Sequence, residues 1–266
     1  MAVSAKDVMS LRKRTGLGMM DCKKAMAETD GDIDKAMELL RKNMKGKMDD
    51  RSDRVSSEGA VAMARGDGCI ALVAITSETD FVARNEKFIE GIEKIAHLAL
   101  EGPDGPVEAS KPIDKIIDDL RIATQENVTY KSGARLSGDA LGSYVHHNRK
   151  LGVIVQGRGD LSDDLLTGIC QHITAAVPTP LAVDEAALPA EDREKQKSAA
   201  VAEAEASGKP PQIAEKIATG KLRKWIDENT LLGQIYLREL DARKPVRDYL
   251  PKDGMIERFV KFSLSG

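Results

Sequence analysis

Aromatic residues are scarce in this chain: four Phe, four Tyr and one Trp make up 3% of it. A core with so few rings must be built from Ala, Val, Ile, Leu and Met. Cysteine is scarce too, and Cys22, Cys69 and Cys170 lie far apart, an odd and scattered set that gives neither a disulfide framework nor a zinc spacing. A reducing cytoplasm is the compartment this usage fits. No apolar run reaches the ~18 residues of a membrane span. The opening MAVSAKDVMSLRKRTG has no apolar signal core, so a soluble, cytoplasmic protein is expected. A basic surplus is also missing: 40 Lys and Arg stand against 43 Asp and Glu, for a formal charge of -3. That argues against direct nucleic-acid binding, which usually goes with a strong positive excess. Motifs of bond chemistry are absent as well. There is no nucleophile elbow or zinc-protease motif, and no Gly-Lys-Ser/Thr follows the glycines of RGDG. His146-His147 runs on into Asn-Arg-Lys, which is no metal spacing, and Cys170 and His172 would point apart on a helix. His97 and His172 read as satisfied, half-buried residues rather than general bases. Neither enzymatic activity, a metal nor a cofactor is expected.

With 266 residues the chain is long enough for one large domain or two to three small ones. The pattern predicts an α+β protein. Residues 1–45 read as a three-helix module. Ser4 can cap the first helix, with Val8 and Leu11 on one face; Gly16 and Gly18 break the chain before a second helix through Met20, Ala25 and Met26. Asp32 can cap the third, where Ile33, Ala36, Met37 and Leu40 follow helical spacing. So small a bundle has a marginal core and suits an appended recognition module. Residues 46–58 are a charged linker able to extend a helix.

Residues 59–135 read as a first α+β subdomain. GAVAMA and CIALVAIT flank the turn RGDG as a hairpin, and helices are expected over 85–100, along Phe88, Ile92, Ile95 and Ala99, and after Lys111-Pro112. Residues 136–266 read as a second subdomain, with the strand KLGVIVQG and a helix from Asp163. A charged, Ala-rich helical hairpin falls at about 190–229, broken by Gly208-Lys209-Pro210-Pro211 into two antiparallel arms. The two subdomains look like copies of one plan: an apolar strand, an acidic connection, then a helix with a histidine near its end, His97 or His172. The first copy is longer between strand and helix, and the extra length contains Thr79, Asp80, Phe81 and Val82. Spending a scarce Phe on a connection poses a choice. Either Phe81 folds back as local core, with Asp80 capping the next helix, or it is an exposed wedge for a partner.

Several segments together resemble bacterial elongation factor Ts, the guanine-nucleotide exchange factor of elongation factor Tu. They are RTGLGMMDCKKAM, SETDFVARN, LGSYVHHNRKLGVIV, QHITAAVP and SGKPPQIAEKIATGKLRKW with LLGQ. The resemblance implies a ubiquitin-associated-like N-terminal bundle docking on the nucleotide domain of Tu. It also implies an Asp-Phe pair, here Asp80-Phe81 with Thr79 and Val82, inserted between Tu helices to dislocate its Mg²⁺ and release GDP. Further partner contacts are implied at Arg12, Met19, Met20 and His146, with His147 as a rival for the family's histidine. The partner is then Tu, GDP-bound and nucleotide-free, with no membrane involved. Two departures stand out: His147-Asn148-Arg149-Lys150 replaces small residues, and Lys244-Pro245-Val246 stands where the family often opens its last helix with a hydroxyl. Proline is compatible with a first helical turn, so that helix is expected to survive. Whether the arms pair two copies into a homodimer is left open. The rival reading is a non-catalytic binding or assembly protein whose main surface is the arms.

Overall fold

The structure is a computed structural model and describes residues 4–49, 55–206 and 210–264. The chain divides into two compact units. One comprises Met1–Arg135, Val145–Gly152 and Phe262–Gly266; the other comprises Leu136–Tyr144 and Val153–Lys261. Residues 50–54 of the expected linker, and Gly208-Lys209 of the expected break, lie outside the described residues.

The first unit begins with helices α1 (Ala5–Thr15), α2 (Met19–Glu28) and α3 (Ile33–Asp49). Ser4 Oγ accepts the Lys6 N–H at 3.2 Å, and Asp32 Oδ1 accepts the N–H groups of Asp34 and Lys35 at 3.1 and 3.0 Å, so both expected caps form. Gly16 closes α1 in the left-handed region (φ 73°), where only glycine sits without strain, and its N–H returns to the Arg12 carbonyl. The helix α3 runs on to Asp49, past the expected end of the bundle. Its core of Val8, Leu11, Cys22, Met26 and Met37 is completed from outside by Ile122.

Strands β1 (Glu58–Gly66) and β2 (Cys69–Ser77) form the expected antiparallel hairpin. Gly66 pairs with Cys69, so the turn is two residues, Asp67-Gly68, rather than the four of RGDG. Every position of β2 is buried, as its unbroken apolar run requires of a central strand. A one-turn helix α4 (Asp80–Ala83) follows, then α5 (Glu86–Ala99), the short strand β3 (Gly105–Pro106), α6 (Lys111–Thr124) and β4 (Thr129–Ser137). The sheet order is β1-β2-β4-β3. Phe88, Ile92, Ile95 and Ala99 of α5 are fully buried in its core, with Ile113, Ile117 and Leu120 of α6.

Strands β5 (Ala140–Val145), β6 (Leu151–Arg158) and β7 (Met255–Ser263) form a second sheet in that order. In the second unit α7 (Asp163–Ala175) buries Leu166, Ile169, Cys170 and Ile173 in a core with Val153 and Val155 of β6. The arms are α8 (Ala190–Ala206) and α9 (Pro211–Asn229), packed on each other, with Ala200, Ala204, Ala214 and Ala218 buried and a Lys221–Glu203 ion pair at 2.6 Å. The helix expected from Val246 is a single 3-10 turn, Val246–Tyr249, with Pro245 as its N-cap. Among the described residues no helix is long and apolar enough to cross a membrane.

Candidate partner-docking site

The connection from β2 to α5 is built so that one side chain points out. Thr79, in extended backbone, caps α4: its Oγ1 accepts the Val82 N–H at 3.3 Å, and its carbonyl accepts the Ala83 N–H at 3.2 Å. Successive residues of a helix turn by about 100°. Ala83 therefore faces inward and is 5% exposed, Val82 packs on the edge of the core, and Phe81 points away at 83% exposed. Of the two readings of Phe81, the one that folds it back as local core is thereby overturned. Asp80 does not cap the following helix either. It lies in the first turn of α4 and pairs with Arg84 at 3.1 Å, while α5 is capped by Asn85, whose Oδ1 accepts the Lys87 N–H at 2.9 Å. An exposed pair such as Asp80–Arg84 contributes at most ~1 kcal/mol; it braces the turn.

The base of the turn is held more firmly, by residues the sequence reading did not single out. Glu126, just beyond α6, accepts both the Thr79 hydroxyl (2.6 Å) and the Thr79 N–H (3.0 Å). Glu78 in return accepts the Asn127 N–H at 2.7 Å, and Ser77 Oγ donates to the Thr79 carbonyl at 3.0 Å. Two carboxylates thus bind backbone across a pair of chain segments far apart in sequence. Bonds to a charged acceptor are roughly twice as strong as neutral ones. No local pattern announces this clasp; the only signal was the acidic content of the connection.

The other predicted contacts also lie in the first unit. Met19 and Met20 open α2, 40% and 73% exposed. Gly18, which precedes them, offers no side-chain cap. Arg12 is exposed on α1 and, with Met9, Lys13 and Lys87, lines a shallow depression of about 330 Å³. Met9, 62% exposed, was not singled out from the sequence, although it stands three positions before Arg12 on the same helix face. Lys87 Nζ donates to the Lys13 carbonyl at 3.1 Å, so α5, which begins just after the Phe81 turn, touches α1 beside Arg12. His146 and His147 sit instead at the β5–β6 tip, their rings 4.2 Å apart, the first half-buried and the second exposed. The departure from small residues there has a structural use. Arg149 pairs with Glu93 of α5 at 3.0 Å, its carbonyl accepts the Val61 N–H at 2.8 Å, and Lys150 pairs with Glu58.

The two histidines that suggested internal repetition differ sharply. His97 is exposed; His172 is 2% exposed. His172 Nδ1 accepts the Leu237 N–H at 3.3 Å, so its proton sits on Nε2, which donates to Gln234 Oε1 at 2.9 Å. Burial first of all lowers its pKa below the usual histidine value, against the opposing effect of the Gln234 hydrogen bond. Neither is half-buried as expected. His172 is a satisfied core residue, while His97 lies on the solvent side of α5.

The site is thus a bare aromatic on a turn braced by Glu126 and flanked by the Asp80–Arg84 pair. The family model described as Elongation factor TS matches residues 78–265, opening at the clasp residue Glu78. An "Elongation factor Ts" of a Nitratiruptor species is 41% identical over 94% of this chain and 87% of its own length. Those of Alkalilimnicola ehrlichii and a Psychrobacter species are 39% and 36% identical, over 99% and 98% of this chain and 92% and 91% of theirs. The chain belongs to the elongation factor Ts family.

Proposed function

We infer that this chain is a guanine-nucleotide exchange factor for elongation factor Tu, with Phe81 as its wedge. The single observation that carries the reading is the 83% exposure of Phe81 on a turn braced from beneath by Glu126. Leaving a Phe in water forgoes roughly 1.5–3 kcal/mol of burial that a partner's pocket can recover. Inserted between helices of Tu near its magnesium site, the ring displaces groups that position the ion. Mg²⁺ demands near-ideal octahedral geometry, so a small displacement weakens it and, with it, GDP. No bond is made or broken in the nucleotide, and the factor supplies no cofactor.

Linkage sets the size of the effect. If docking weakens GDP, GDP weakens docking by the same factor, and each tenfold requires ~1.4 kcal/mol. One buried Phe therefore accounts for about one to two decades. Larger coupling draws on the second set of contacts, Arg12, Met19 and Met20 on the bundle and His146 or His147 at the hairpin tip, with Thr79, Asp80 and Val82 shaping the wedge. Exposed methionines suit that role because their flexible thioethers adapt to a partner's relief.

The test is release of a fluorescent GDP from Tu with the factor present in catalytic amount. Acceleration, with many Tu molecules turned over per factor, is expected. Stoichiometric binding without acceleration would favour the assembly-protein reading, as would loss of all binding when the α8–α9 arms are deleted.

A further inference from the structure

We propose that α6 is a positioning element that fixes the spacing between the helical bundle and the Phe81 turn, so that both meet the partner as one preformed surface. The inference rests on the exchange reading for its consequence, though not for its geometry. One stretch of chain holds both parts. On the bundle side, Arg41 of α3 forms a two-pronged pair with Asp119 of α6, Nε to Oδ1 at 2.7 Å and Nη2 to Oδ2 at 2.9 Å. The planar fork of arginine fixes orientation as well as distance, which a lysine would not. Ile122, one turn further on, is 4% exposed and belongs to the bundle's own core. The chain reversal at Gly16 lies so close to α6 that a side chain there would meet the Ala123 carbonyl at 3.3 Å. On the wedge side, Glu126 and Asn127 form the clasp with Thr79 and Glu78. Between the two lies only the end of α6 and its left-handed cap, Gln125 (φ 58°), whose N–H returns to the Arg121 carbonyl.

The physical gain is preorganisation. A bundle swinging on the charged linker would have to be ordered each time it docked, and that ordering opposes binding. Fixed to α6, it is ordered when the protein folds. The two attachments then have different kinetic signatures. Loosening the bundle weakens capture of the partner; loosening the clasp weakens the wedge once captured.

The experiment titrates wild type and variants against Tu carrying fluorescent GDP. Arg41→Ala and Asp119→Ala are expected to raise the half-saturating concentration about 5-fold, with the maximal rate within about 2-fold of wild type. The exchanged pair, Arg41→Asp with Asp119→Arg, is expected to recover most of that. Glu126→Ala is expected to do the opposite, lowering the maximal rate about 10-fold at nearly unchanged half-saturation, while Glu126→Gln, still able to accept from Thr79, recovers in part. Unchanged half-saturation in both single bundle-side variants would overturn the proposal, and so would an unchanged maximal rate in Glu126→Ala. Should wild type itself fail to accelerate release, the exchange reading falls, and amide hydrogen exchange then decides the positioning claim alone. In Asp119→Ala the bundle amides are expected to exchange faster, and in Glu126→Ala those of Thr79–Asn85; unchanged protection in either would refute it.

Discussion

Phe81 and Phe88 are the same residue type on the neighbouring helices α4 and α5, and they meet opposite fates: one is 83% exposed, the other fully buried. The difference makes a direct prediction. Phe88→Ala opens a cavity under α5 and is expected to cost ~3–5 kcal/mol, whereas Phe81→Ala is expected to stay within ~0.5 kcal/mol of wild type in chemical denaturation. His172 supplies a second residue-scale test. Its folded pKa is depressed, so the unfolded chain takes up a proton first as pH falls below the ordinary value near ~6.5. The contribution of neutral His172 is therefore complete above that pH and is lost progressively below it. Thermal melts are expected to fall from pH 7 to pH 5, and less steeply in His172→Gln. The fates of the two histidines were partly legible. His172 stands three positions after Ile169, on the buried stripe of α7, while His97 follows Glu93 and Lys94 by four and three. The exposure of Phe81 was not legible, because a four-residue helix is too short to carry a period.

At the scale of elements, the caps Ser4 and Asp32, the hairpin and the long helices followed from local sequence. The caps of α5 and α7, Asn85 and Ser162, were not singled out, and Asp80 had stood in the place of the first. The clasp did not follow, since Glu126 and Thr79 meet only once α6 has packed on α5. The last helix contracted to a 3-10 turn for a related reason. Val246 donates its N–H to the Gln234 carbonyl at 2.9 Å, and Arg247 to that of Leu232, so those amides are engaged outside any helix. The arms show how little apolar surface a helix pair can manage with. Their contact rests on buried alanines, which permit close approach, together with the Lys221–Glu203 pair. Ala218→Leu forces extra volume into that seam and is expected to destabilise it by ~1–3 kcal/mol. The measurement is helical circular dichroism on heating, where an early partial loss is expected; an unaltered curve would mean the seam is looser than described.

For the whole molecule, a strand pair followed by a helix occurs twice, as β1–β2 with α5 and as β5–β6 with α7. The copies differ in that α4 and its clasp occur only in the first, which is where the family match opens. The compact units, however, are not single stretches of chain. Val145–Gly152 and the final residues belong with the first unit. A fragment ending at Arg135 would lose the partners of Glu93 and Glu58, Arg149 and Lys150, along with the bond from Val61. Such a fragment is expected to melt below the corresponding transition of the full chain, and an equal melting temperature would contradict that.

The central claim is that an exposed ring on a braced turn does its work in the partner rather than in its own fold. Stopped-flow release of fluorescent GDP from Tu, with wild type and Phe81→Ala side by side, tests it most directly. The account predicts exchange slowed by about one to two decades, with affinity for nucleotide-free Tu reduced far less. An unchanged release rate in Phe81→Ala would contradict it.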